Sequence, residues 1–123
     1  MTARKLSDLG VPELAERYAR NGVEQDDAIL RDENRRFRRL FSEMRAIEDE
    51  LRGRAGDQRR ALLALFDHPN LQVQLNAAKA TLALEPVLGR AKIEEIRKKK
   101  WAPQGGDAGM TIYALDEGIF KPT

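Results

Sequence analysis

The chain has 123 residues, 34% of them charged and 6% aromatic, with no Cys, one His and a formal net charge of +2. That length is enough for one self-standing core, and we expect a single domain over residues 1–123. The lack of Cys excludes disulfides, thiolate metal sites and cysteine nucleophiles, and no apolar run is long enough to span a bilayer.

The opening Met1-Thr2-Ala3-Arg4-Lys5-Leu6-Ser7-Asp8-Leu9 lacks the apolar core of a secretory signal, so a cytoplasmic location is expected. Pro12 suits the first turn of a helix, where its missing N–H costs nothing. Leu14, Tyr18, Gly22 and Ile29 fall on one side of a helix reaching about Leu30. Gly22 marks either a close helix crossing or a break into two shorter helices. Arg31-Asp32-Glu33-Asn34 predicts a turn, with Asp32 or Asn34 as the N-cap of the next helix.

In that second helix Phe37, Leu40, Phe41, Met44, Ile47 and Leu51 recur at spacings of three and four, one apolar stripe ending at Gly53. Arg35, Arg36, Arg38 and Arg39 fan around Phe37. Pairs of Asp32 with Arg36 and Glu43 with Arg39, and screening of Arg35 by Glu33, predict a salt-bridged outer face. Gly56 and Asp57 punctuate the chain, and Asp57 can cap a third helix that turns Leu62, Leu65 and Phe66 inward.

Asp67-His68-Pro69-Asn70 ends the third helix; Pro69 holds His68 extended and Asn70 can cap the next start. The fourth helix, to about Leu84, is apolar on nearly every side. Leu71, Leu75, Ala78 and Leu82 line one flank and Val73, Ala77, Ala80 and Leu84 another. Gln72, Asn76 and Lys79 form a narrow wet stripe between them. A helix with so little polar surface must be covered on both flanks by its neighbours. Pro86 opens a fifth helix with Val87, Leu88, Ala91, Ile93 and Ile96 as its buried residues. Arg97, Lys98, Lys99 and Lys100 then place cations at its negative pole. Trp101–Gly106 reads as a loop, with Trp101 plugging the end of the stack. Asp107 and Gly118 bracket a short last helix, favoured over a strand that would have no partner.

The fold class expected is all-α, a short stack of about five or six helices. Leu62–Leu84 resembles one HEAT repeat, carried by the leucines of its first helix, Asp67 in the turn, and Val73, Ala77, Ala78 and Leu82 in the second. Typical repeats place Arg after the Val, where it pairs with turn Asp residues; Gln74 stands there, which implies a short stack rather than a long array. The chain also resembles a bacterial family of small HEAT-like proteins described only as a domain of unknown function. Asn34–Leu51, Leu65–Asn70, Asn76–Pro86 and Asp107–Thr111 carry that likeness, which implies the fold and no activity or site residues.

No catalytic constellation stands out. His68 is a turn residue before Pro69, and Asp26-Asp27, Glu48-Asp49-Glu50 and Glu94-Glu95 are adjacent on helices, so their carboxylates diverge by about 100°. With one His and no Cys no metal site is expected, nor any cofactor. Gly105-Gly106-Asp107-Ala108-Gly109 reads as a helix cap beside a loop rather than a phosphate cradle.

The expected role is therefore a non-enzymatic protein–protein interaction module. Gln72, Gln74, Asn76 and Lys79 on the wet ridge, with Trp101, would touch a protein partner, and exposure of Tyr18, Tyr113 or Phe120 would extend the surface. The alternative is nucleic-acid binding. Met1–Gly53 carries eleven Lys/Arg against twelve Asp/Glu, whereas Arg54–Lys100 carries ten against five. Arg35, Arg36, Arg38, Arg39, Arg97, Lys98, Lys99 and Lys100 are the residues for that reading.

Overall fold

The computed structural model describes residues 5–123. Met1–Arg4, read above for a leader, lie outside the described residues. All regular structure there is helical, in two compact units, one up to Ala61 and the other from Leu62 to Thr123.

The first unit is a helical hairpin preceded by the short 3-10 turn Leu6–Asp8. α1 (Val11–Leu30) starts after an extended Gly10 with Pro12 in its first turn, and runs unbroken through Gly22. Its inward line is Leu14, Tyr18, Asn21, Gly22, Gln25 and Ala28. Ile29, expected on that line, is only half-buried, because the drift of a 3.6-residue helix has brought Ala28 round in its place.

Asp32 adopts φ 57°; its N–H bonds the Ile29 carbonyl and the Glu33 N–H bonds that of Ala28. This left-handed closure satisfies the end of α1. Asp32 therefore reverses the chain and caps nothing. α2 (Asn34–Gly53) begins from Glu33, with no side-chain cap. Leu40, Met44, Ile47 and Leu51 are buried as expected. Phe41 is exposed and stacks on the half-buried Phe37, with centroids 6.3 Å apart, at the margin of the stripe that α1 covers. Arg54 ties the start of the unit to α2, bonding Glu50 at 2.9 Å and the carbonyls of Leu6 and Leu9 at 3.1 and 2.6 Å.

Gln58–Asp67 is a 3-10 segment rather than the expected α-helix. Asp57 does stand at its start, accepting from the Arg59 N–H. Leu62 is fully buried, while Leu65 and Phe66 are half-buried.

The second unit holds α3 (Leu71–Thr81), α4 (Pro86–Lys99) and α5 (Gln104–Asp116), with α4 packed against both of the others. Asn70 caps α3 as predicted, its Oδ1 accepting from the Gln72 and Val73 N–H groups. The core joins Leu75, Ala78 and Leu82 to Ile93 and Ile96 of α4 and to Ala108 and Ile112 of α5. α3 ends at Thr81, short of Leu84, where the Glu85 N–H closes on the Thr81 carbonyl. α4 turns Gly89, Ile93 and Ile96 inward; Val87, Leu88 and Ala91, expected in the core, lie off that line and are exposed. α5 begins three residues before Asp107 and stops at Gly118, whose φ of 70° lets the Ile119 N–H reach the Ala114 carbonyl.

Candidate functional site

The expected wet ridge is dry at its centre. Gln72 and Asn76 are each 7% exposed. They sit one turn apart on the side of α3 that meets the start of α5. The Gln104 amide donates to Gln72 Oε1 at 2.9 Å, and the Gln72 amide donates to Asn76 Oδ1 at 2.9 Å. These three amides form an internal ladder and offer no surface to a partner. Burial is tolerated because each donor meets an acceptor. Lys79, at the rim, is bound to Asp107.

Gln74 is half-buried and turned back on the preceding turn, where its amide donates to the His68 carbonyl at 2.6 Å. Its Oε1 is buried with no partner among the described residues. His68 Nδ1 accepts from the Asn70 N–H at 3.0 Å, so the imidazole helps to shape the turn.

Of the five residues expected to touch a protein partner, only Trp101 stands well exposed, at 67%. It does not plug the stack, because the chain leaves α4 through a left-handed Lys100 and displays the ring outward. Tyr113 is exposed, Phe120 half-buried and packed against the core of its unit, and Tyr18 buried.

The arginines of α2 also differ from expectation. Arg36 reaches back to α1, bonding Asp27 at 2.7 Å with Glu24 at 3.6 Å, and it also meets Glu33 at 3.7 Å. The Arg36 guanidinium, with Arg31 second, holds the Asp27 carboxyl below its ordinary value. The expected Asp32–Arg36 pair does not form among the described residues, Arg36 meeting Asp27, Glu24 and Glu33 instead. Glu33 serves Arg36 rather than Arg35, and the Glu43–Arg39 pair does not form. Among the described residues Arg35, Arg38 and Arg39 make no ion pair.

Much of the basic stretch Arg54–Lys100 is neutralised, each paired cation by an acid of the same unit. Arg54 pairs with Glu50, Arg59 with Asp57, Lys79 with Asp107, Arg90 with Asp116, Lys92 with Glu95 and Arg97 with Glu94. Lys98, Lys99 and Lys100 are exposed and make no ion pair among the described residues.

Pattern reading missed the polar interior of the first unit. Tyr18 Oη donates to Glu48 Oε2 at 2.6 Å, the Asn21 amide donates to the Leu40 carbonyl, and the Gln25 amide donates to Asn21 Oδ1 and to Met44 Sδ. Burial pushes the Glu48 carboxyl above the ordinary glutamate range, against the opposing pull of the Tyr18 hydrogen bond and of Arg45. Burial, with the Glu48 charge second, raises the Tyr18 phenol. Asn21 and Gln25 at i and i+4, continuing the line of Leu14 and Tyr18, were the available signal. Beside them a groove of about 530 Å³ is lined by Arg17, Arg20, Asn21 and Glu24 of α1 and by Glu43, Ala46 and Ile47 of α2.

A further feature is apolar, and of its two residues only Tyr113 was named in advance. On α5, Met110 and Tyr113 lie three residues apart on one face, 69% and 57% exposed, while Ala108, Thr111 and Ile112 are buried on the other. Among the described residues no group of three or more His, Cys, Asp and Glu could hold a metal ion, and no helix is long and apolar enough to cross a membrane.

The arrangement has a close counterpart in the crystal structure of the protein RPA1889 from Rhodopseudomonas palustris CGA009. The two are 50% identical, with a TM-score of 0.95, over 98% of this chain and 100% of that one. Comparison with curated proteins gave no match. Residues 12–116 match the family described as Domain of unknown function (DUF2019), and the chain belongs to that family.

Proposed function

We propose that this chain is a cytoplasmic, non-enzymatic protein-binding module whose second unit is a HEAT-like stack, with the outer face of α5 as its docking surface. The pair Met110 and Tyr113 carries the reading, since two large side chains stand in water on a helix whose opposite face is already packed. Protein interfaces concentrate their energy in a few aromatic and similar anchors, and the thioether of Met adapts to irregular surfaces. The HEAT-like part is supported by the Asp67–Asn70 turn and by packing of α3 against both α4 and α5. At the position where repeats carry their ladder Arg, Gln74 bonds the turn of its own hairpin.

A photo-crosslinking amino acid placed at Tyr113 tests the proposal in cells of the native host. A discrete adduct with another protein, lost when Met110→Glu is added, is the expected result. Absence of an adduct, or adducts only between copies of this chain, overturns it.

A further inference from the structure

The expectation of nucleic-acid binding across Arg54–Lys100 contracts, once the internal ion pairs are removed, to its last residues. Lys98 and Lys99 close α4, Lys100 turns the chain, and Trp101 follows directly. The acids within reach are already engaged: Glu94 by Arg97 and Arg90, and Glu95 by Lys92. Capping of the α4 dipole does not account for all three lysines, because the pole they face amounts to roughly half a charge.

The backbone beneath them is held. Lys100 has φ 57° and ψ 26°, and Gly105 lies so close that a Cβ there would stand 3.1 Å from Lys100 Cα. The Gly105 N–H also bonds the Trp101 carbonyl at 2.6 Å. An indole 67% exposed is thus displayed from an anchored turn beside three ammonium groups that make no ion pair among the described residues.

We infer that this corner, Lys98–Trp101, contacts single-stranded nucleic acid, the lysines meeting phosphates and the indole stacking on a base. Phosphates and bases are what this combination of groups recognises: the cations follow the backbone, and the ring supplies a face that every base can match. An acidic protein or peptide would use the lysines and leave the ring without a comparable partner. An anionic lipid surface fits less well. Arg97, Ala102 and Pro103 flank the corner, so a bilayer would gain one large apolar side chain and no amphipathic face. The inference is independent of the α5 docking face, because it requires neither Met110 nor Tyr113.

Trp101 is the chain's one tryptophan, so its fluorescence reports the corner directly. Oligo(dT) of 20 nucleotides is titrated into the full chain at several salt concentrations. Saturable quenching is expected, with log K falling against log salt at a slope of about −2, the value for three phosphates neutralised on a single strand. The triple substitution Lys98→Gln, Lys99→Gln, Lys100→Gln should abolish the salt-dependent binding while circular dichroism shows the helical fold retained, with a small drop in melting temperature from the lost dipole capping. With labelled oligo(dT) followed by anisotropy, Trp101→Ala should weaken binding roughly tenfold and Trp101→Phe should largely restore it. Heparin supplies charge without bases, and vesicles of equal phosphatidylserine and phosphatidylcholine supply an anionic bilayer. No quenching by oligo(dT), equal quenching by heparin, or a blue shift on the vesicles without quenching by oligo(dT) each overturns the inference.

Discussion

Tyr18 and Glu48 face each other across the α1–α2 hairpin, joined by a 2.6 Å hydrogen bond between a buried phenol and a largely buried carboxyl. Arg45 and Arg59 draw the Glu48 carboxyl down and Asp49 pushes it up, but burial dominates and the folded-state value is raised. A carboxyl raised on folding contributes stability that is complete below its unfolded value and is lost as the pH climbs through the folded one. Glu48→Gln removes that titration and keeps an acceptor for Tyr18. The stability of wild type relative to the variant should therefore fall as pH rises from the ordinary glutamate range upward, then level off. Asp27, Asp57 and Asp116, all lowered by arginine partners, slope the opposite way in both proteins and cancel. Urea midpoints measured for both proteins across that window provide the check.

The amide ladder of the second unit makes a contrasting claim about Gln104 and Lys79. Gln104→Ala withdraws the donor from Gln72 Oε1 in a buried setting, so a loss of about 1–3 kcal/mol is expected. Lys79→Ala breaks an ion pair whose two side chains are 34% and 45% exposed, and should cost under about 1 kcal/mol after solvent screening. Chemical denaturation of the two variants separates an internal ladder from a surface stripe: similar small effects would refute the ladder.

What could be read in advance divides along a physical line. Local signals worked: Asn70 as a cap, Gly53 and Gly118 as stops, Pro12 and Pro86 in first turns, and the spacing of Leu40, Met44, Ile47 and Leu51. What failed depended on which neighbour covers which face. Gln72 and Asn76 have the spacing of a solvated stripe, and nothing local announces that Gln104, some thirty residues on, brings an amide to meet them. Val87 and Leu88 are apolar, yet the register of α4 is set by Gly89, Ile93 and Ile96. Trp101 looked like a plug because size and hydrophobicity favour burial; the left-handed turn at Lys100 decides otherwise. The α5 face was half legible: Tyr113 stood among the aromatics whose exposure would mark an interface, whereas Met110 belongs to a residue type that is usually buried, and nothing local places it outside.

The register of α4 can be tested directly. Ile93 is fully buried in the core of its unit, and Ile93→Ala should cost about 2–5 kcal/mol through lost burial and the cavity left behind. Val87, six residues earlier, is largely exposed, and Val87→Ala should change stability by no more than about 0.5 kcal/mol. Thermal or urea unfolding of the pair measures the difference. Comparable losses would place Val87 in the core after all.

Two glycines of the second unit should respond to alanine with opposite signs. Both lie within helices, where Ala is preferred over Gly by about 0.5–1 kcal/mol. At Gly106 a Cβ would meet nothing within 4 Å, so Gly106→Ala should keep that gain and raise the melting temperature. At Gly89 the Cβ would stand 3.0 Å from Leu82 Cδ2 and 3.1 Å from the Ala78 carbonyl oxygen. The leucine tip can turn aside, but the carbonyl belongs to the backbone of α3 and cannot move without shifting that helix against α4. Gly89→Ala should therefore destabilise by about 1–3 kcal/mol despite the better helix propensity. Both are single-methyl additions, so equal shifts in the two melting temperatures would show that α3 and α4 do not approach as closely as the Gly89 geometry requires.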